Sequence, residues 1–212
     1  MSYELAKKLL EIGAVELRPN APFTLSSGLL SPIYCDNRLT LSFPSVRKLI
    51  AELLANKVKE KFPEVTHISG TATAGIPHAA FVSEILDLPM SYIRGESKSH
   101  GRKNLIEGLI KEEDQVVVIE DLISTGKSVI KAVNALREKG IRVLGTASIF
   151  TYELQKGIDQ LHRNHIQNHS ICTFPVLIEA AIEMNKISQD DVETLRNWQQ
   201  DPENWKLPSQ KE

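Results

Sequence analysis

The stretch Val116-Val117-Val118-Ile119-Glu120-Asp121-Leu122-Ile123-Ser124-Thr125-Gly126-Lys127-Ser128 decides the fold. Four consecutive apolar β-formers predict a strand over residues 115–119 that is buried on both faces. Two carboxylates follow, then a Ser/Thr/Gly bend. Apolar residues at helical spacing then predict a helix over 126–139, ended by Gly140. Strand, loop and helix in that order form the repeating unit of a parallel sheet covered by helices.

The same rhythm extends on both sides. Strands are expected at residues 65–69, 90–94, 141–150 and 170–173, with helices over 77–87, 155–163, 175–184 and from 188 onward. Upstream, Leu5, Leu9 and Ile12 mark a first helix, and Pro44 suits the first turn of a second, over 42–61. Between them, residues 15–40 are broken by Pro19, Pro22, Gly28 and Pro32 into short strands and loops. The expected fold is α/β: a mainly parallel five-stranded sheet flanked by helices. A small N-terminal hood (1–40), a core (41–200) and a C-terminal tail (201–212) complete it.

Composition limits what such a fold does. The 212 residues are about one and a half times a typical domain and 42% hydrophobic, which excludes fibrous, disordered and membrane-spanning classes. Twenty-five Lys and Arg against 27 Asp and Glu leave a net charge of -2, so no global basic field exists to hold nucleic acid. Neither a nucleic-acid nor a membrane partner is expected. Cys35 and Cys172 lack metal-ligand spacing. The first eight residues carry an early acid and no apolar signal core, so a reduced, cytoplasmic protein is expected.

In an open parallel sheet, ligands sit beyond the carboxyl ends of the strands. Residues 124–128 (Ser124, Thr125, Gly126, Lys127 and Ser128) offer backbone N–H groups, hydroxyls and a helix N-terminus, a cradle for phosphate. Glu120 and Asp121 suit the opposite need, hydroxyl groups or a metal. A ligand with phosphate at one end and a vicinal diol a few ångströms away is a ribose 5-phosphate. The order and spacing of Gly126-Lys127-Ser128 are not those of a Walker A loop. The segment also fits an ordinary strand-to-helix turn, although adjacent acids on a buried strand are costly unless solvated or liganded.

Three further segments stand out. Residues 94–103 hold Arg94, Lys98, Arg102 and Lys103 against one acid, Glu96, between Gly95 and Gly101. They read as a hinged anion trap or as a solvated charged hairpin. His100 is a phosphate donor or simply exposed. Residues 70–75, with Thr71, Ala72 and Thr73, are small enough to let backbone amides approach an anion, or form a plain tight turn. Residues 26–34, from Ser26 to Tyr34, read as a Ser/Gly/Pro loop in which Tyr34 packs in the core or faces a ligand.

These motifs together resemble the type I phosphoribosyltransferase family. Residues 116–128 resemble its phosphoribosyl-diphosphate signature. Residues 68–77 resemble its diphosphate loop, 94–101 its mobile catalytic loop and 104–108 the strand that follows. Residues 22–34 resemble the base-side segment of the members that act on orotate. The similarity spans roughly residues 1–200, and these motifs in order are specific where one alone is not.

The resemblance implies transfer of a phosphoribosyl group from 5-phosphoribosyl 1-diphosphate to orotate, with Mg²⁺ as cofactor and a homodimer with shared active sites. A salvage enzyme for another nucleobase, or a non-catalytic regulator that binds phosphoribosyl diphosphate, shares the signature and stays open. The resemblance further implies catalytic roles for Lys98, His100 and Asp121 and ribose-hydroxyl binding by Glu120 and Asp121. It gives 5-phosphate binding to residues 124–128 and diphosphate contacts to Thr71, Ala72, Thr73, Arg94, Arg102 and Lys103. Ser26 and Tyr34 fall on the base side, and a cis peptide is expected at Ala72-Thr73. The metal is expected to be held mainly by substrate, with Asp121 reaching it through water. Many members carry Lys where this chain has Ser26, Ala74 and Gly95. That leaves open how the orotate carboxylate is neutralised. Lys127 replaces a small residue, and its side chain points at the base or away.

Overall fold

The computed structural model describes residues 1–25, 27–95 and 105–207. In chain order the elements are α1 (Ser2–Glu11), β1 (Val15–Leu17), β2 (Phe23–Thr24), β3 (Leu30–Ser31), β4 (Ile33–Cys35) and a 3₁₀ turn (Asn37–Ser42). Then come α2 (Pro44–Lys61), β5 (His67–Thr71), α3 (Gly75–Leu86), β6 (Met90–Ile93), β7 (Ile106–Glu107) and β8 (Gln115–Ile123). The chain continues through α4 (Lys127–Arg137), β9 (Arg142–Thr151), α5 (Gln155–Arg163), β10 (Asn168–Thr173), α6 (Phe174–Glu183) and α7 (Asp191–Gln200).

The main sheet has the order β10-β9-β8-β5-β6-β7. Its first five strands are parallel, and β7 adds an antiparallel edge through Tyr92↔Glu107 and Ile93↔Ile106. The sheet therefore has six strands among the described residues, one more than the five expected, and the sixth, β7, falls in the segment 104–108 that resembles a strand of the family. β7 is only two residues long, too short to announce itself by alternation. Two antiparallel pairs outside the sheet, β1 with β4 and β2 with β3, form the hood from residues 15–35. α1 instead joins the core: Leu5, Ala6 and Leu9 are fully buried, and the helix packs on α6 and β10.

The four apolar residues of β8 explain its central place. Val117 and Ile119 belong to the larger core cluster, shared with α1, α2, α3, α6 and α7. Val116 and Val118 point the other way, onto Val129, Val133 and Leu136 of α4 and Leu161 of α5. Alternation thus divides one unbroken apolar run between two layers. Each such side chain contributes about 1.5–3 kcal/mol by leaving water.

Element ends differ from the sequence reading for local reasons. α2 begins at Pro44 rather than residue 42, because Phe43 before the proline is extended (φ -115, ψ 94). β8 does not stop before the acids. It runs four residues further than expected, to Ile123, because Leu122 and Ile123 find partners in Phe150 and Thr151 of the long β9.

Candidate active site

The carboxyl ends of β5, β6, β8 and β9 converge on one rim. Glu120 and Asp121 lie on β8 itself, where successive side chains leave opposite faces. Glu120 is 4% exposed and turned toward the loop. Its Oε2 accepts from the Ser128 hydroxyl at 2.9 Å and its Oε1 from the Asp121 N–H at 3.1 Å. Burial, and then the charge of Asp121, push the Glu120 carboxyl well above the ordinary carboxylate range. Asp121 is half-buried, and burial raises it too. The two carboxylates stay close enough to influence each other's titration. One is drawn under the loop by Ser128, and the other faces the hood.

Asn37 links the hood to that strand. It is 1% exposed, and its Nδ2 donates to the backbone carbonyl of Asp121 at 2.8 Å. The sequence reading missed it. Asn37 falls in the stretch read as short strands and loops, and only the fold shows it reaching 84 positions along the chain.

The loop 124–126 joins β8 to α4. Gly126 adopts φ +77 at the N-terminal cap of α4, a conformation that favours glycine. No side chain caps that helix end, so its first N–H groups face the loop. Ser124 and Thr125 are half-buried, and Ser128 is exposed. Lys127 is exposed and lines a separate groove with Leu105, Lys131 and Asn134, away from the hood.

Across β5, Thr71 is 4% exposed and ends the strand. The Ala72-Thr73 peptide is cis, as the resemblance implies. The Ala72 N–H donates to the Ile93 carbonyl at 2.8 Å, which ties this turn to the end of β6. Arg94 follows β6 directly. Its N–H donates to the Leu105 carbonyl at 2.8 Å, and its guanidinium lies 3.5 Å from the Glu107 carboxylate. Arg94 and Leu105 thus hold the two ends of the basic segment together at the rim. Lys98, His100, Arg102 and Lys103 lie outside the described residues, as does Ser26. Tyr34 is 40% exposed and packs against Phe23 with tilted rings whose centroids are 5.5 Å apart, so it belongs to the hood surface and not to the core.

A cavity of about 330 Å³ opens between the hood and the loop. Leu25, Leu29 and Leu30 form one wall, and Ser124 and Thr125 another. A third comes from Lys156 and the segment after α7, which the sequence reading treats as a tail. The site as a whole offers two adjacent carboxylates, an uncapped helix N-terminus and an apolar slot within one rim.

Comparison with known proteins agrees with this geometry. The family model described as "Phosphoribosyl transferase domain" matches residues 41–172. A protein of Enterococcus faecalis named orotate phosphoribosyltransferase is 56% identical over 202 residues, covering 95% of this chain and 96% of its own length. Among solved structures, orotate phosphoribosyltransferase from Aeropyrum pernix superposes with a TM-score of 0.73 at 29% identity, over 87% of this chain and 99% of that one. The UMP synthase of Leishmania donovani gives a TM-score of 0.79 at 29% identity over 93% of this chain, which corresponds to 42% of that longer one. A sheet whose carboxyl rim carries the acid pair, the phosphate-type loop and the cis turn, matched by relatives along nearly its whole length, leaves one assignment: the chain belongs to the phosphoribosyltransferase family, in its orotate phosphoribosyltransferase branch.

Proposed function

We propose that this chain transfers the 5-phosphoribosyl group from 5-phosphoribosyl 1-diphosphate to a ring nitrogen of orotate, releasing diphosphate and orotidine 5'-monophosphate. It acts as a pentosyltransferase of pyrimidine nucleotide synthesis, as a cytoplasmic homodimer. The observation that carries this reading is the acid pair of β8 beside the uncapped N-terminus of α4, with Ser128 bonded to Glu120.

Each part of the rim has a task set by its charge. Residues 124–128 bind the 5-phosphate through backbone N–H groups, hydroxyls and the positive end of α4. Glu120 and Asp121 accept from the ribose hydroxyls and fix the sugar. Thr71, Ala72 and Thr73 meet the diphosphate with backbone amides. As diphosphate departs, the sugar becomes oxocarbenium-like and the base nitrogen attacks it. The segment from Arg94 to Lys103, with Lys98 and His100, closes over the leaving group, neutralises its growing charge and excludes the water that competes for the sugar. No covalent bond to the enzyme is required.

The donor set suits magnesium, a hard cation that takes one or two carboxylates together with substrate oxygens. Asp121, half-buried and facing the hood, would reach it through water, with substrate oxygens holding most of it. Magnesium, when bound, supplies neutralisation of the diphosphate charge.

The test is the loss of orotate absorbance when phosphoribosyl diphosphate and Mg²⁺ are added together. Consumption of orotate matched by release of diphosphate is expected. Diphosphate release with a purine or uracil, and none with orotate, would replace this reading by that of a salvage enzyme.

A further inference from the structure

We propose that Lys156 neutralises the carboxylate of the acceptor base, and that Glu203 occupies its ammonium until the acceptor arrives. The inference rests on the orotate reading above and deepens it. Orotate carries a permanently ionised carboxylate beside a flat ring. Enclosing that group without a cation leaves a costly unpaired charge.

The cavity between hood and loop has the right composition for such a molecule. Leu25, Leu29 and Leu30 supply an apolar face for the ring. Ser124 and Thr125 form the wall shared with the proposed phosphate site. Among the described residues lining it, Lys156 is the one cation.

Lys156 is held there by the backbone. It lies in the first turn of α5, and the next residue is Gly157. A Cβ added at Gly157 would stand 2.3 Å from the Ser124 carbonyl oxygen. Glycine thus lets α5 rest directly on the loop, which sets Lys156 beside the cavity.

A carboxylate already sits on that ammonium. Glu203, from the segment after α7, forms an ion pair with Lys156 and lines the same cavity. Gln199, at the end of α7, donates to the Tyr152 carbonyl at 2.7 Å, and within the segment that follows Asn204 donates to Asp201. Lys156 and Glu203 are 50% and 61% exposed. An ion pair so exposed is weakly held and open to exchange. A substrate carboxylate entering between the leucines and Lys156 takes the place of Glu203.

The decisive experiment compares orotate with uracil, the same ring without the carboxylate. Steady-state constants for orotate and phosphoribosyl diphosphate, and inhibition by uracil, are measured in wild type, Lys156→Gln, Lys156→Arg and Glu203→Gln. Lys156→Gln is expected to raise the orotate KM about tenfold or more, with kcat, the phosphoribosyl diphosphate KM and the uracil inhibition constant within about twofold. Lys156→Arg restores most of the loss. Glu203→Gln, which removes the competitor, lowers the orotate KM by roughly two- to fivefold.

An unchanged orotate KM in Lys156→Gln would overturn the assignment. So would a parallel loss for orotate and uracil, which marks general damage to the cavity. Weaker orotate binding in Glu203→Gln would make Glu203 an anchor of the C-terminal segment and overturn the exchange. A wild-type enzyme that consumes no orotate is a separate result, because it removes the activity itself and this assignment with it.

Discussion

At the scale of single residues, Glu120 is the most informative. It is a carboxylate buried to 4% exposure, and both its oxygens accept hydrogen bonds. Burial still dominates and raises its pKa. The ionised form therefore costs the fold. That cost is absent below the ordinary carboxylate range and grows as pH rises through the raised value. Glu120→Gln should accordingly gain stability over wild type as pH goes from 5 to 8, on the order of 2 kcal/mol, or several degrees in Tm. Its turnover should fall about 10²-fold, because a ribose-hydroxyl acceptor is lost. Calorimetry at the two pH values checks the first, and an equal Tm difference at both would refute it. Lys98→Ala should cut turnover about 10²-fold or more with a smaller effect on substrate binding, since the charge it meets develops as the leaving group departs. Unchanged kcat in that variant would remove the segment's proposed role.

Among elements, the contact of α5 with the phosphate-type loop is the one most exposed to a single change. The 2.3 Å approach at Gly157 is to backbone, which cannot rotate aside. Gly157→Ala should therefore lift α5 off the loop and destabilise the protein by about 1–3 kcal/mol. It should also raise the KM for phosphoribosyl diphosphate, because residues 124–128 lose their support. Thermal unfolding together with kinetics tests this, and a Tm and KM equal to wild type would contradict it. The elements also show what sequence patterns resolve. The parallel strands and their helices were legible because short apolar β-runs alternate with helices of 3.6-residue period from residue 65 to about 151, beyond which the pattern weakens. β7 was too short to show a period. The extension of β8 through Glu120 and Asp121 to Ile123 depended on the length of β9.

The whole molecule sets the acid limit of stability. His78, on α3, is fully buried; its two ring nitrogens have no hydrogen-bond partner, and burial lowers its pKa to about 4. Keeping this histidine neutral carries no proton-linked cost above its ordinary value of 6.5. As pH falls from there to about 4, the unfolded chain takes up a proton that the native state refuses, and stability drops. His78→Leu should remove about 3 kcal/mol of that loss between pH 7 and 4. Denaturant unfolding at both pH values measures it, and identical pH dependence in the two proteins would exclude His78 as the cause. The homodimer is tested at this scale as well: a sizing measurement is expected to give twice the chain mass, and a fully active monomer would refute it.

The amino-acid sequence alone determined the layered α/β plan, because buried strands and amphipathic helices write their periods into adjacent residues. It also placed an acid pair and a hydroxyl-rich bend together, since these are neighbours in the chain. Only the tertiary structure decided that Asn37 reaches the backbone of Asp121 and that Lys156 meets Glu203 beside the hood. Those contacts join residues far apart in the chain, and packing between elements brings them together where no local periodicity records it.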